Sequence, residues 1–331
     1  MLKKPKILVV GSFMMDLIAS TRRAPDEGET VVGLKFQTAP GGKGANQAVQ
    51  CARLGAETTM VGKVGNDAFG AALKGAAADA GVDVSHVLID PEESSGVGQI
   101  TLELRDGGAK NRITVCPGAN YTLSLDEIAW LEKDIGSFDM LLLQLELPTE
   151  IIETAARWAY AAKVPVMLNP APAAPLSDAL LGCVSYLSPN EHEAALLSGR
   201  KIRVENGVNM DDIAAAAGFF ADRGVKKLII TLGENGSVIA DRDGVVHSPC
   251  VRMPRVADTT AAGDSFVAAF CTGLCAGLSE REALAFAGCT AAITVTGMGA
   301  IPSLPTVARV QALMRERGLA GFDPAVLDAL K

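Results

Sequence analysis

Lys6-Ile7-Leu8-Val9-Val10 opens the readable part of the chain, and Gly11-Ser12 follows at once. Four apolar residues in succession, ended by a glycine, describe a strand covered on both faces rather than one half exposed to water. The pattern recurs at Thr58–Val61, Met140–Leu145, Val164–Leu168 and Leu228–Leu232. Helical periodicities fall between these runs. Residues 44–54 place Ala45, Ala48, Val49 and Ala52 on one face before Gly55, and 149–162 and 211–223 repeat the pattern. Strands and helices in alternation predict an α/β chain with a doubly wound, mostly parallel sheet and helices on both faces. No linker divides it, so residues 1–331 are expected to form a single domain.

Two stretches break the rhythm. Residues 12–40 lack helical periodicity. Val97 to Leu104 alternates polar and apolar residues, Asp106-Gly107-Gly108 turns, and Arg112 to Cys116 resumes, which reads as a hairpin. Together, about 12–40 and 96–117 predict a small separate β-sheet inserted in the domain, either a lid or a surface for dimerisation.

Composition narrows the function classes. Apolar residues make up 49% and charged ones 21%, enough for a core and against disorder. Acidic residues outnumber basic ones 38 to 30, with no basic block, so a surface for nucleic acid is not expected. The seven cysteines include no CxxC pair, and the odd count argues against a disulfide framework. Cys271 and Cys275 fall on one helix face and read as small core side chains. Residues 283–308 are uncharged, but glycines and prolines interrupt them, so a buried helix running into a loop fits better than a membrane span. The N-terminal segment does not resemble a secretory signal, and a cytoplasmic location is expected.

Four motifs carry candidate chemistry. Gly41-Gly42-Lys43-Gly44-Ala45-Asn46-Gln47 is either a glycine-rich turn capping a helix or a place where backbone N–H groups approach a ligand. It matches neither G-x-G-x-x-G nor a Walker A loop. Asp258-Thr259-Thr260-Ala261-Ala262-Gly263-Asp264 precedes an uncharged helix. Asp264 is then an N-cap, or a general base beside an anion hole made by the amides of Ala261, Ala262, Gly263 and Asp264. Ser188-Pro189-Asn190-Glu191-His192-Glu193 is either an acidic helix start or a contact for phosphate or a water-bound metal. Thr231-Leu232-Gly233-Glu234-Asn235-Gly236 ends a buried strand, where doubly wound sheets bind nucleotides. The glycosylation sequons at Asn120 and Asn235 carry no meaning in a cytoplasmic chain.

In this order, and over nearly the whole chain, these segments resemble the ribokinase branch of the PfkB carbohydrate kinase family. Gly11-Ser12 with Asp16, Pro25 to Thr30, Gln144-Leu145-Glu146 and Asn169 to Ala173 add to the likeness. The resemblance implies transfer of the ATP γ-phosphate to a sugar hydroxyl, most specifically the 5-hydroxyl of D-ribose. It implies sugar contacts from Met14, Asp16, Gly42, Lys43, Asn46 and Glu146, and Asp264 as base. Asn190, Glu193, Thr231, Gly233, Gly236, Gly263 and Gly288 would bind ATP with Mg2+. Asp258, Thr260, Thr294, Gly297, Gly299 and Ser303 would hold K+. It implies a homodimer formed through the lid. Met14 departs from the pattern, because family ribokinases often carry Asn there. The alternatives are a 2-deoxyribose kinase, another sugar or nucleoside kinase, and a sugar sensor that has lost catalysis.

Overall fold

The structure, a computed structural model, describes residues 2–105, 108–204, 207–318 and 322–331; the predicted hairpin turn at Asp106 and Gly107 lies outside them. Nine strands form the large sheet: β1 (Lys6–Val10), β4 (Glu57–Gly65), β5 (Val87–Asp90), β8 (Met140–Leu143), β9 (Val166–Leu168), β10 (Tyr186–Leu187), β11 (Lys227–Thr231), β12 (Ser237–Ala240) and β13 (Val245–Ser248). Their order is β13-β12-β11-β10-β9-β8-β1-β4-β5. The pairs from β10–β11 across to β4–β5 are parallel, while β11–β12 and β12–β13 are antiparallel. The chain runs outward from β1 to β4 and β5, then returns to β8 on the other side. The carboxyl ends of β1 and β8 therefore flank a topological switch point.

Helices of eight residues or more are α1 (Lys43–Arg53), α2 (Ala68–Asp79), α3 (Thr149–Ala161), α4 (Glu191–Ser198), α5 (Met210–Ala221), α6 (Ala262–Ala276), α7 (Glu280–Thr294) and α8 (Val307–Arg317). Side chains alternate across a strand, so a run of four apolar residues needs two apolar environments. Ile7 and Val9 enter a cluster with α1, α6, α7 and α8, whereas Leu8 and Val10 enter a second cluster with α3, α4 and α5. This is the physical content of the opening run. Cys271 is fully buried and Cys275 packs against the first cluster, as expected of core side chains.

The two irregular stretches form a second sheet of β2 (Met14–Thr21), β3 (Lys35–Gly41), β6 (Val97–Arg105) and β7 (Gly108–Cys116), in the order β3-β2-β6-β7. Ile18, Ile100 and Ile113 are aligned across β2, β6 and β7 and so share one face. Asp16, two residues before Ile18, lies on that same face. Ile113 and Val115 are about half exposed, at 55% and 51%. The segment with β2 and β3 joins the rest of the chain at Phe13 and Gly42, and the one with β6 and β7 joins it at Gly96 and Pro117.

Candidate active site

The residues that follow the strand ends at the switch point converge. Ser12 follows β1, Gln144 and Glu146 follow β8, Asn169 follows β9, and Ser188 and Asn190 follow β10. Helix α1 is laid against this edge by glycines. Gly42 is its N-cap with φ 96°, a left-handed value that a side chain would strain. A Cβ on Gly44 would lie 2.4 Å from the Ser12 nitrogen and 2.6 Å from Gly11 Cα, so only glycine lets the first turn of α1 rest on the exit of β1. Lys43 N donates to Glu146 Oε2 at 3.0 Å, and Ser12 Oγ donates to the same oxygen.

Asp264 is the third residue of α6. The N-cap is Ala261 in the left-handed region (φ 59°), so the reading of Asp264 as an N-cap is corrected: a cap must precede the first turn, and Asp264 lies within it. Its carboxylate is buried and held at both oxygens. Asn46 Nδ2 donates to Oδ2 at 2.9 Å, and Gln47 Nε2 donates to Oδ1 at 3.1 Å. Gln47 is itself positioned by Gln144, whose Nε2 donates to Gln47 Oε1 at 2.6 Å. The orphan amides of a first helical turn and the positive end of the dipole favour negative charge at this point.

Asp264 opens onto a cavity of about 230 Å³ lined by Lys43, Asn169, Ser188, Asn190, Glu193 and Gly263. Burial pulls the Lys43 ammonium toward a lower pKa, but Asp264, Glu146 and Glu193 outweigh it, and the net shift is upward. Lys43 therefore remains a cation facing the cavity. Burial also raises the Glu193 carboxyl. This cavity shares Asn190, Thr231, Thr259 and Gly263 with a second of about 680 Å³. The larger one is walled by Val251, Met253, Val256, Phe266, Ala291 and Val295, and Gly233, Gly236 and Gly288 also line it. All seven residues assigned to the nucleotide thus border one of two joined cavities.

Asn190 begins a helix, as one of its two readings has it, and also borders the cavity. Its side chain caps α4 by accepting from His192 N and Glu193 N, and Glu193 Oε2 accepts from Asn190 N in return. The same two residues face the cavity.

Asp16 stands near the same Asn46 side chain that bonds Asp264. Burial pushes its carboxyl up to about 6, and the nearby carboxylates of Glu146 and Asp258 add to the rise. Asp16 Oδ2 and Asn46 Oδ1 both flank Gly41, and Asn46 Oδ1 is buried without a protein partner. Such an oxygen is a vacant acceptor. Met14 is buried, its sulfur 3.8 Å from Asn120 Nδ2.

The six residues assigned to a monovalent cation also gather. Asp258 Oδ1 accepts from Thr260 N and Oγ1, and Asp258 Oδ2 accepts from Gly299 N at 2.9 Å. These bonds hold its pKa down although burial opposes them. Gly297 N donates to Thr294 O, and a Cβ on Gly297 would lie 2.7 Å from Ser303 Cβ. The available donors are carbonyl and hydroxyl oxygens past the C-terminus of α7, the negative end of that helix. No cluster of three His, Cys, Asp or Glu suited to a metal occurs among the described residues. A hard monovalent ion fits such neutral oxygens better than a transition metal does.

The chain with this cleft matches a family model described as "pfkB family carbohydrate kinase" over residues 4–307. The chain belongs to the pfkB carbohydrate kinase family. It is a sugar kinase. The ribokinase of Haemophilus influenzae is 39% identical over 303 residues, covering 91% of this chain and 95% of that protein. The deoxyribokinase of Salmonella typhi is 35% identical over 302 residues, covering 91% and 96%. The solved structure of Arabidopsis thaliana ribokinase complexed with ribose and ATP superposes with a TM-score of 0.86 at 33% identity, covering 94% of this chain and 99% of that one.

Several site residues carry no motif of their own. Gln47 and Asn169, whose side chains meet at 3.2 Å beside Asp264, sat in segments noticed for other reasons. The apolar wall from Val251 to Val256 has no periodicity to betray it, because it is coil. Asn120, dismissed as an idle sequon, is fully buried with its amide engaged, so it has no room for a glycan.

Proposed function

We propose that this protein phosphorylates D-ribose at its 5-hydroxyl, using ATP and giving ribose 5-phosphate and ADP. The observation that carries this reading is Asp264: a buried carboxyl group at a helix start, fixed by Asn46 and Gln47, open to a cavity that continues into a largely apolar pocket of about 680 Å³. The likeness to ribokinases of known name supports the choice of sugar.

In this reading Asp264 accepts the proton of the primary hydroxyl as that oxygen attacks the γ-phosphorus, and the bond to the ADP oxygen breaks. The amides at Ala262, Gly263 and Asp264 and the Lys43 ammonium face the developing charge. Asp16, Gly42, Asn46 and Glu146 hold the sugar hydroxyls. Asn190, Thr231, Gly233, Gly236 and Gly288 border the nucleotide, and Glu193 faces the phosphates where Mg2+, held by phosphate oxygens and water, would supply further charge. K+ at Asp258, Thr260, Thr294, Gly297, Gly299 and Ser303 would fix the loop that leads into α6.

The whole chain acts as one unit in this account, with β2, β3, β6 and β7 as a lid over the sugar. Two copies associate through the lid. Ile18, Ile100 and Ile113, aligned in register, support this together with the half-exposed Ile113 and Val115, since an uncovered apolar sheet face is costly in water. A cytoplasmic location accords with the substrates.

A second reading, 2-deoxyribose as substrate, rests on Met14, a thioether where an amide would bond a hydroxyl. One assay addresses both: ADP release with ribose, 2-deoxyribose, fructose and nucleosides. Ribose-dependent release is expected to be fastest. Release that ignores ribose sinks the primary reading, and a preference for 2-deoxyribose installs the second.

A further inference from the structure

Asn120 sits where three chain segments cross. Its Oδ1 accepts from Phe13 N at 2.9 Å, and its Nδ2 donates to Phe13 O at 2.8 Å and to Pro117 O at 2.7 Å. The amide therefore grips both backbone groups of one residue, as a neighbouring strand would, and also holds the carbonyl that follows β7. Gly96, on the segment entering β6, completes the crossing. A Cβ there would fall 2.3 Å from Asn120 Nδ2 and 2.7 Å from Met14 Sδ, and Gly96 O accepts from Met15 N at 2.8 Å.

Phe13 is the link between β1 of the large sheet and β2 of the small one. Met14 and Asp16 come one and three residues later. We infer that Asn120 is a positioning residue for sugar binding: it fixes the Phe13 backbone, and with it the register of Asp16 over the sugar, to the two roots of the small sheet. Among the described residues, the side-chain bonds of Asn120 go to Phe13, Met14 and Pro117 and to no residue lining the nucleotide cavities. This role rests on the reading of Asp16 as a sugar ligand.

The side chain is suited to the task. Gripping an N–H and a C=O together needs a donor and an acceptor on one rigid plane. Aspartate has the shape but lacks the donor. It would set a carboxylate oxygen against Phe13 O and Pro117 O, and alanine would leave all three backbone groups without their partner.

The test compares Asn120→Asp and Asn120→Ala with the native chain, measuring KM for ribose and for ATP, kcat and thermal stability. The sugar KM is expected to rise at least tenfold in each variant, with the ATP KM within about twofold. Gly96→Ala, which intrudes on the same amide, should reproduce that split. A uniform fall in kcat with both KM values kept, or failure of both Asn120 variants to fold, makes Asn120 a purely structural residue and overturns the inference. If the native chain phosphorylates no sugar, the reading of the site fails instead, a distinct result seen before any variant is made.

Discussion

At the scale of single residues, the proposed function gives two carboxyl groups different work. Asp264 is bonded through both oxygens to amide donors, so replacing it with asparagine keeps the shape and loses the base. Asp264→Asn should keep ATP binding and fold while kcat drops at least about 10²-fold. A rate within threefold of the native one would remove Asp264 from the mechanism. Asp16 makes a pH prediction. Its pKa is about 6 in the folded chain against 3.8 for the free group. Between those values the folded protein binds more protons than the unfolded one, so this residue's contribution to stability falls as pH rises from about 4 to 6. Sugar binding runs the other way, because the ionised carboxylate is the better acceptor for hydroxyl protons. The ribose KM should climb as pH falls below about 6 while the ATP KM stays level, and Asp16→Asn should flatten both the stability slope and the KM profile. Parallel pH dependence of the two KM values would reject the assignment.

At the scale of elements, α1 depends on backbone contact. The Cβ of Gly44→Ala would meet backbone atoms of Gly11 and Ser12, which cannot rotate away. The helix must shift, at an overpacking cost of about 1–3 kcal/mol. Thermal denaturation should show that loss together with a raised sugar KM, since Lys43 N would leave Glu146; an unchanged melting temperature would refute the packing argument. The elements also show what was legible. The interior parallel strands were readable because burial on both faces forces unbroken apolar runs. β10 has two residues, too short for a pattern, and β12 and β13 form an antiparallel pair that turns on Asp241, whose side chain accepts from Asp243 N and Gly244 N. The cap of α6 was not legible, which left Asp264 open to two readings, because an alanine in the left-handed region leaves no mark in propensity. Motif residues at the site were legible as a set. Gln47, Asn169 and Asn120 were not, because their importance lies in partners more than 70 positions away in sequence.

At the scale of the whole molecule, the proposed cation loop and the small sheet would act at a distance from the reacting atoms. Asp258 ties Gly299 to the segment that leads into α6, so an ion bound there would steady the anion hole without touching sugar. Activity in K+ should exceed that in Na+ at equal ionic strength, and equal rates would exclude the site. Strand β2 has a different consequence. It carries Asp16 toward the proposed sugar site and, two residues on and on the same face, Ile18 toward the proposed partner copy. Two equilibria then share one piece of backbone, and thermodynamic linkage makes their coupling reciprocal: whatever factor the sugar adds to self-association, self-association returns to sugar affinity. Dilution becomes an effector. Below the concentration at which the pair separates, the apparent ribose KM should rise with falling protein concentration, and saturating ribose should shift the sedimentation profile back toward the pair. A KM indifferent to protein concentration across that range would uncouple the two ends of the strand.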